Sequence, residues 1–371
     1  MVEIEYLDSP HSTEELLEIL CPPVRNWFKD SFPDFTRPQK LAIPAILDRK
    51  NLLLCSPTGS GKTLTAFLTI IDKLVRLALD NKLEKKVHCV YISPIKALAN
   101  DIQRNLIGPL TEISESYLPD RAQEIKVGLR TGDTSQSDRQ KMLRNPPHIL
   151  ITTPESLAIA ITSPRFQPIV SELEYMIVDE LHSLVPTKRG VHLALTLSYL
   201  DTLLKVPVQR IGISATMEPL EKVAEYLVAS DDQESRNNSS SVSIAKVSGS
   251  RELDLDILIT HKKFSDLAVM KILDANIEAI ADLISAHTTT LVFANTRKMT
   301  ETIVQRLRPY LGDLVAGHHG SMDKKIRLNV EKKLKHGHLR AVVTSSSLEM
   351  GIDIGSVDLV LQVGSPGDIA T

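Results

Sequence analysis

The chain has 371 residues, 42 % of them hydrophobic and 24 % charged, a balance that excludes a disordered or fibrous protein, and its length favours two domains of ~100–200 residues each. Cys21, Cys55 and Cys89 form no C-x-x-C pair and no basic and apolar leader precedes them, which argues against disulfide scaffolding and secretion. No apolar run reaches the ~20 residues of a membrane-spanning helix, so a soluble cytoplasmic protein without a membrane partner is expected, and the net charge of −3 gives no globally basic surface for nucleic acid.

From 51 to 214, short β-rich runs alternate with longer helical patterns, which predicts a doubly wound parallel sheet. The predicted strands are 51–55, 87–93, 125–130, 148–152, 175–179 and 209–214. Runs such as HILIT and MIVD show little polar alternation, as strands covered on both faces do. Residues 231–243, DDQESRNNSSSVS, read as an exposed loop or linker. The alternation then resumes, with predicted strands at 290–294, 339–344 and 357–363. A second α/β domain therefore starts between Ser243 and Asp256, and the division is drawn at 1–243 and 244–371.

After the apolar run LLLC, the segment Ser56, Pro57, Thr58, Gly59, Ser60, Gly61, Lys62, Thr63 precedes a helical pattern, the strand, loop and helix order of a phosphate-binding P-loop. Gly59 and Gly61 let backbone N–H groups turn toward phosphate oxygens, and the helix N-terminus adds partial positive charge. Lys62 is expected to reach the β- and γ-phosphates of ATP, and the Thr63 hydroxyl to ligate Mg²⁺. Ser56 departs from the general pattern, which has Gly there.

YMIVDELH, 175–182, places two carboxylates at the end of an apolar strand, where open α/β sheets hold ligands. Asp179 suits an outer or water-mediated hold on Mg²⁺, and Glu180 suits the group that orients and deprotonates the attacking water. His182 is then placed to sense the γ-phosphate. No His/Cys spacing suggests structural zinc.

Polar loops follow successive predicted strands: SPIKALAND with Pro94 and Lys96, RTGDT with Arg130, Thr131 and Gly132, TTPESL with Thr153, Pro154 and Glu155, and SAT with Ser214 and Thr216. Their donors suit gripping of phosphates without base reading. With DELH, these loops make the chain resemble the superfamily-2 DExH-box helicases. TRPQKLAIPAIL, DELHSLVPTKRGVHLALTLSYL and HHGS are together similar to the large helicase-related (Lhr) family.

The resemblance implies two tandem RecA-like (P-loop NTPase) domains with parallel sheets, the second truncated, that close on ATP and move 3′ to 5′ along nucleic acid. It implies that Gln39, in a loop ahead of the first strand, reads the adenine edge with Phe35 beside it, and that Ser214 and Thr216 couple ATP state to unwinding through DELH. In the second domain it assigns track contacts to Asn295, Thr296 and Arg297 of TLVFANTR, to His319 of HHGS, and to Thr344 and Ser345. Gly351 and Asp353 would reach the nucleotide. Superfamily-2 motors then carry Q-x-x-G-R-x-G-R, and the chain stops at Thr371 before it. Arginine fingers contribute ~10³–10⁵ in rate, so the expectation is a monomeric fragment that binds ATP but hydrolyses it feebly. Single-stranded or partly duplex DNA is the expected partner, with RNA or an RNA:DNA hybrid as alternatives. Two other readings are an ATP-responsive strand-annealing clamp without unwinding and a metabolic P-loop kinase; the kinase leaves TLVFANTR and HHGS without a role.

Overall fold

The computed structural model describes residues 2–57, 59–94, 102–119, 122–215, 217–228, 241–247, 254–258, 269–345 and 357–365. The chain forms two compact units, Met1–Arg251 and Glu252–Thr371. Strands of the first are β1 (Glu3–Tyr6), β2 (Asn51–Cys55), β3 (Cys89–Ile92), β4 (Val127–Arg130), β5 (Ile149–Thr152), β6 (Tyr175–Val178), β7 (Gln209–Ser214) and β8 (Ser241–Lys246). They build one sheet in the order β1-β8-β2-β7-β6-β3-β5-β4, and every neighbouring pair is parallel. Their carboxyl ends therefore share one edge.

Alternation along the central strands feeds two separate cores. In β2, Leu52 and Leu54 join one buried cluster while Leu53 and Cys55 join the other; in β3 the same split separates Cys89 and Tyr91 from Val90 and Ile92. Both faces are apolar because helices cover both. The helix Lys62–Leu79 packs on the first face through Phe67, Ile70, Ile71 and Leu74, and the helix Lys188–Leu203 on the second through Leu193, Leu197 and Leu200.

The second unit carries β9 (Thr290–Ala294), β10 (Val315–His318), β11 (Ala341–Thr344) and β12 (Leu359–Val363), parallel and ordered β10-β11-β9-β12. Its helices Val269–Ala286 and Arg297–Leu311 share a core with β9, where Val292 and Ala294 face Ile280, Ile284, Ile303 and Leu307. The chain is thus α/β with parallel sheets in both units. Among the described residues no helix is long and apolar enough to cross a membrane, and all three cysteines are buried thiols.

Three strands escape the sequence reading: β1, β8 and β10. Residues 241–243 are not linker but the start of β8, with Val242 and Ser243 buried. Pairing of β8 with β2 and β1 makes it an inner strand, so the division at 243/244 would cut a strand of the first sheet. The described length of the first unit instead runs through β8, and the unit ends at Arg251.

Candidate active site

The phosphate loop leaves β2 at the shared strand edge and enters the helix Lys62–Leu79. Gly59 and Gly61 have φ of 78° and 86°, a region that costs other L-residues about 1–2 kcal/mol. A Cβ at Gly61 would only touch Gln39, whose Nε2 lies 3.4 Å from that position, so the positive φ and not space is what calls for glycine here. Lys62 Nζ donates to the carbonyls of Ser56 at 2.6 Å and Pro57 at 2.8 Å, which folds the ammonium over the loop. Ser60 Oγ donates to Pro57 O at 2.8 Å and bonds the Ser56 hydroxyl. Ser56 therefore braces the loop from the position where the general pattern has glycine.

Asp179 and Glu180 follow β6, one strand removed from β2 across β7. That spacing is roughly 10 Å between strand axes, within reach of a triphosphate. Asp179 is 7 % exposed. Its Oδ1 accepts the Glu180 N–H at 2.8 Å, and its Oδ2 accepts the hydroxyl of Tyr91. Burial raises the Asp179 pKa, and the Glu180 charge adds to that; the Tyr91 hydroxyl, the Glu180 N–H and Lys62 oppose it. Burial lowers the Lys62 pKa against the pull of Glu180 and Asp179. The cation and the two carboxylates thus sit within mutual electrostatic range.

Glu180 occupies the left-handed region at φ 54°, which swings the chain from β6 into the short helix Leu181–Leu184. Glu180 Oε2 lies 3.2 Å from His182 Nε2, and His182 Nδ1 accepts the Ala215 N–H at 3.2 Å. Ser214 and His182 are therefore brought together. The chemistry of this donor set, one buried carboxylate beside a phosphate-binding loop, fits a resident magnesium ion. Magnesium is held by one or two carboxylates together with phosphate oxygens and water, and Asp179 and Thr63 supply hard oxygens for that.

Gln39 is not in a loop. It is the third residue of the helix Arg37–Leu47, 3 % exposed, and its Oε1 accepts the Thr36 N–H at 2.8 Å in a capping box. Its Nε2 faces Gly61 instead of open solvent. Phe35 stacks on Phe28 with ring centroids 3.8 Å apart and is buried, so it belongs to the core beside the capping box.

The loops after β3, β5 and β4 continue along the same strand edge, away from the nucleotide loop. Thr153 caps the helix Pro154–Ile161 by accepting the Ser156 N–H at 3.3 Å. Thr131 and Gly132 present carbonyls that Arg139 ties together at 3.2 Å each. Arg130 is turned inward: it is buried, with its guanidinium 4.9 Å over the Phe166 ring. Sequence reasoning missed Arg189, which donates to Pro94 O at 3.0 Å and forks onto both Glu155 oxygens at 2.6 and 3.2 Å. Gly190 allows this, since a Cβ there would sit 2.3 Å from Leu184 O; the KRG run was the available signal.

In the second unit, the β9, β10 and β11 ends gather the predicted contacts at one edge. Asn295 Nδ2 donates to Ser365 O at 2.6 Å, Thr296 caps the helix Arg297–Leu311, and Arg297 bonds the Ser321 hydroxyl. His319 Nε2 lies 2.7 Å from Glu301 Oε1. Thr344 is fully buried and its hydroxyl donates to Ser345 O at 2.7 Å, so its side chain faces the fold and not the edge. Thr58, Lys96, Thr216, Gly351 and Asp353 lie outside the described residues.

The DEAD/DEAH box helicase model matches residues 36–224, and the helicase conserved C-terminal domain matches 275–371. Across 100 % of its length the chain is 45 % identical to the ATP-dependent helicase Lhr-Core of Methanocaldococcus jannaschii, of which it covers 43 %. It is 46 % identical to Lhr-Core of Methanothermobacter thermautotrophicus over 97 % of the chain and 42 % of that protein. The structure of Mycobacterium smegmatis helicase Lhr bound to ssDNA and AMP-PNP superposes with a TM-score of 0.76 at 40 % identity, over 93 % of this chain and 44 % of that one. The chain spans less than half the length of the curated relatives it matches.

Proposed function

Because the chain belongs to the DEAD/DEAH box helicase family, we propose that it is the ATP-driven motor of a DNA helicase that moves 3′ to 5′ on single-stranded DNA and opens DNA or RNA:DNA duplexes. The observation that carries this reading is that one sheet edge holds the loop of Lys62 within electrostatic range of Asp179 and Glu180, with Glu180 against His182 and His182 against Ser214. DNA is favoured over RNA because the M. smegmatis relative holds ssDNA.

In this mechanism the loop 56–63 wraps the phosphates, and Lys62 exchanges its two carbonyl partners for β- and γ-oxygens. Thr63 and Asp179 would hold a magnesium ion, which would neutralise phosphate charge when bound. Glu180 orients the attacking water and takes its proton. Gln39 offers its free amide N–H to the base. The loops that carry Pro94, Thr131, Gly132, Thr153, Pro154 and Glu155 form the track-facing rim of the first unit, and Asn295, Thr296, Arg297, His319 and Ser345 that of the second, with the hydroxyl, amide, guanidinium, imidazole and backbone N–H donors among them holding backbone phosphates without reading sequence.

Phosphate release measured with single-stranded DNA, single-stranded RNA or neither tests this, together with strand displacement on duplexes bearing a 3′ or a 5′ tail. Lys62→Ala is expected to lower turnover by roughly 10²–10³, the worth of one preorganised charge-stabilising donor. Undiminished turnover removes the assigned site. Nucleotide-dependent DNA binding with negligible phosphate release, even in a chain extended past Thr371 through the arginine motif, would instead support the annealing clamp.

A further inference from the structure

Tyr91 lies in the strand that pairs with β6 and has no place in the helicase motifs named above. Its side chain is 0 % exposed and runs between the sheet and the helix Lys62–Leu79. The ring meets Phe67 at a centroid distance of 4.9 Å, and the hydroxyl ends on Asp179 Oδ2. Phe67 stands four residues after Thr63, so one helical turn separates it from that residue on the same helix face. One side chain therefore touches both structures that carry the magnesium donors: by its ring the helix of Thr63, by its hydroxyl the carboxylate of Asp179.

We propose that Tyr91 is a positioning residue for the metal site: its hydroxyl fixes the rotation of the Asp179 carboxylate, while its ring sets the height of the Thr63 helix against β6. The inference rests on the proposed nucleotide site and adds to it a residue outside the motifs. The geometry is specific. With the Glu180 N–H on Oδ1 and Tyr91 on Oδ2, each oxygen keeps one donor, and a carboxylate oxygen has two acceptor directions. The carboxylate plane is thus defined from both sides, and each oxygen keeps a further acceptor direction for a metal. A buried carboxylate with only the Glu180 N–H could rotate about its terminal torsion, which is broad and soft.

Groups that orient a metal ligand typically account for about 10–100-fold in metal affinity. Tyr91→Phe keeps the ring and removes only the hydroxyl, and Phe67→Leu keeps the hydroxyl and loosens the ring contact. Affinity for Mn²⁺ is read by electron paramagnetic resonance in the presence of ADP, beside ADP binding in EDTA and a thermal melt. Tyr91→Phe is expected to weaken Mn²⁺ binding at least about tenfold with ADP binding in EDTA unchanged. Phe67→Leu is expected to lower the melting temperature with a smaller effect on Mn²⁺. Equal Mn²⁺ affinity in wild type and Tyr91→Phe overturns the proposal while leaving the nucleotide site standing. If wild type shows no nucleotide-dependent Mn²⁺ binding, the site assignment itself fails and takes this inference with it. Should Tyr91→Phe melt early, Phe67→Leu decides: matched losses in melting and Mn²⁺ affinity for both variants reduce Tyr91 to core packing and overturn the positioning role.

Discussion

The imidazole of His182 stands against Ser214, its Nδ1 3.4 Å from the serine hydroxyl, and the same nitrogen accepts the N–H of Ala215. An accepting Nδ1 carries no proton, so the ring hydrogen sits on Nε2, which faces Glu180 Oε2 at 3.2 Å. Burial and then the charge of Lys62 lower the His182 pKa, which keeps the ring neutral at pH 7. A neutral ring of fixed tautomer therefore joins the Glu180 carboxylate to the loop after β7.

Breaking that joint is expected to separate hydrolysis from work. Ser214→Ala and His182→Ala should slow strand displacement by about tenfold, the scale of one lost hydrogen bond near charge, with a smaller fall in DNA-stimulated phosphate release. Acid should act in the same direction. As pH falls below the ordinary histidine range, protonation converts Nδ1 from acceptor to donor, and displacement per ATP should drop. Equal losses in both assays would show that the pair serves hydrolysis alone.

Gln39 has two faces that different substitutions separate. Gln39→Glu retains the oxygen that accepts the Thr36 N–H but loses the amide donor beside Gly61, so stability should hold while preference for ATP over GTP falls. Gln39→Ala should lose the preference and also about 1 kcal/mol of stability from the broken capping box. Thermal melts and KM values for both nucleotides check this.

Arg189 neutralises Glu155 at the rim of the proposed track, and its hydrogen bonds, followed by its charge, hold the Glu155 pKa down. In Arg189→Ala the bare carboxylate should repel backbone phosphates and weaken single-stranded DNA binding roughly three- to tenfold at low salt, with a smaller effect at high salt. Adding Glu155→Gln should restore part of the affinity. Fluorescence anisotropy at two salt concentrations makes the comparison.

His148 predicts an acid-sensitive fold. It is 5 % exposed, its Nδ1 accepts the Lys126 N–H at 2.9 Å, and burial, then His88 and Lys126, push its pKa down to about 4. The unfolded chain takes up the proton near pH 6.5, and the folded chain resists until about 4. This contribution is therefore complete above pH 6.5 and is lost as pH falls toward 4, on the order of 3 kcal/mol. His148→Asn keeps an acceptor without titrating, so denaturant melts from pH 7 to 4.5 should show a shallower decline.

The central strands were legible because Leu52–Leu54 and Met176–Val178 are unbroken apolar runs, and the nucleotide loop because its glycines and lysine are contiguous. β1, β8 and β10 were not: EIEY is polar, SVSIAK emerges from a Ser/Asn tract, and VAGH is interrupted by glycine. Their strand character comes from partners distant in sequence, such as β8 with β2. The same reason hides Arg189 and Tyr91, whose meaning lies in Glu155 and Asp179, 34 and 88 positions away. Gln39 lies in a helix and not in the expected loop, because T-R-P-Q forms a capping box whose meaning depends on the helix that follows.

The left-handed backbone of Glu180 sets stability and chemistry at odds at a single position. A glutamate held at φ 54° carries a conformational penalty of about 1–3 kcal/mol that glycine would escape. Heat-challenge selection of random variants, blind to turnover, should therefore enrich Glu180→Gly, yielding a hardier protein without the carboxylate proposed to prepare water for attack.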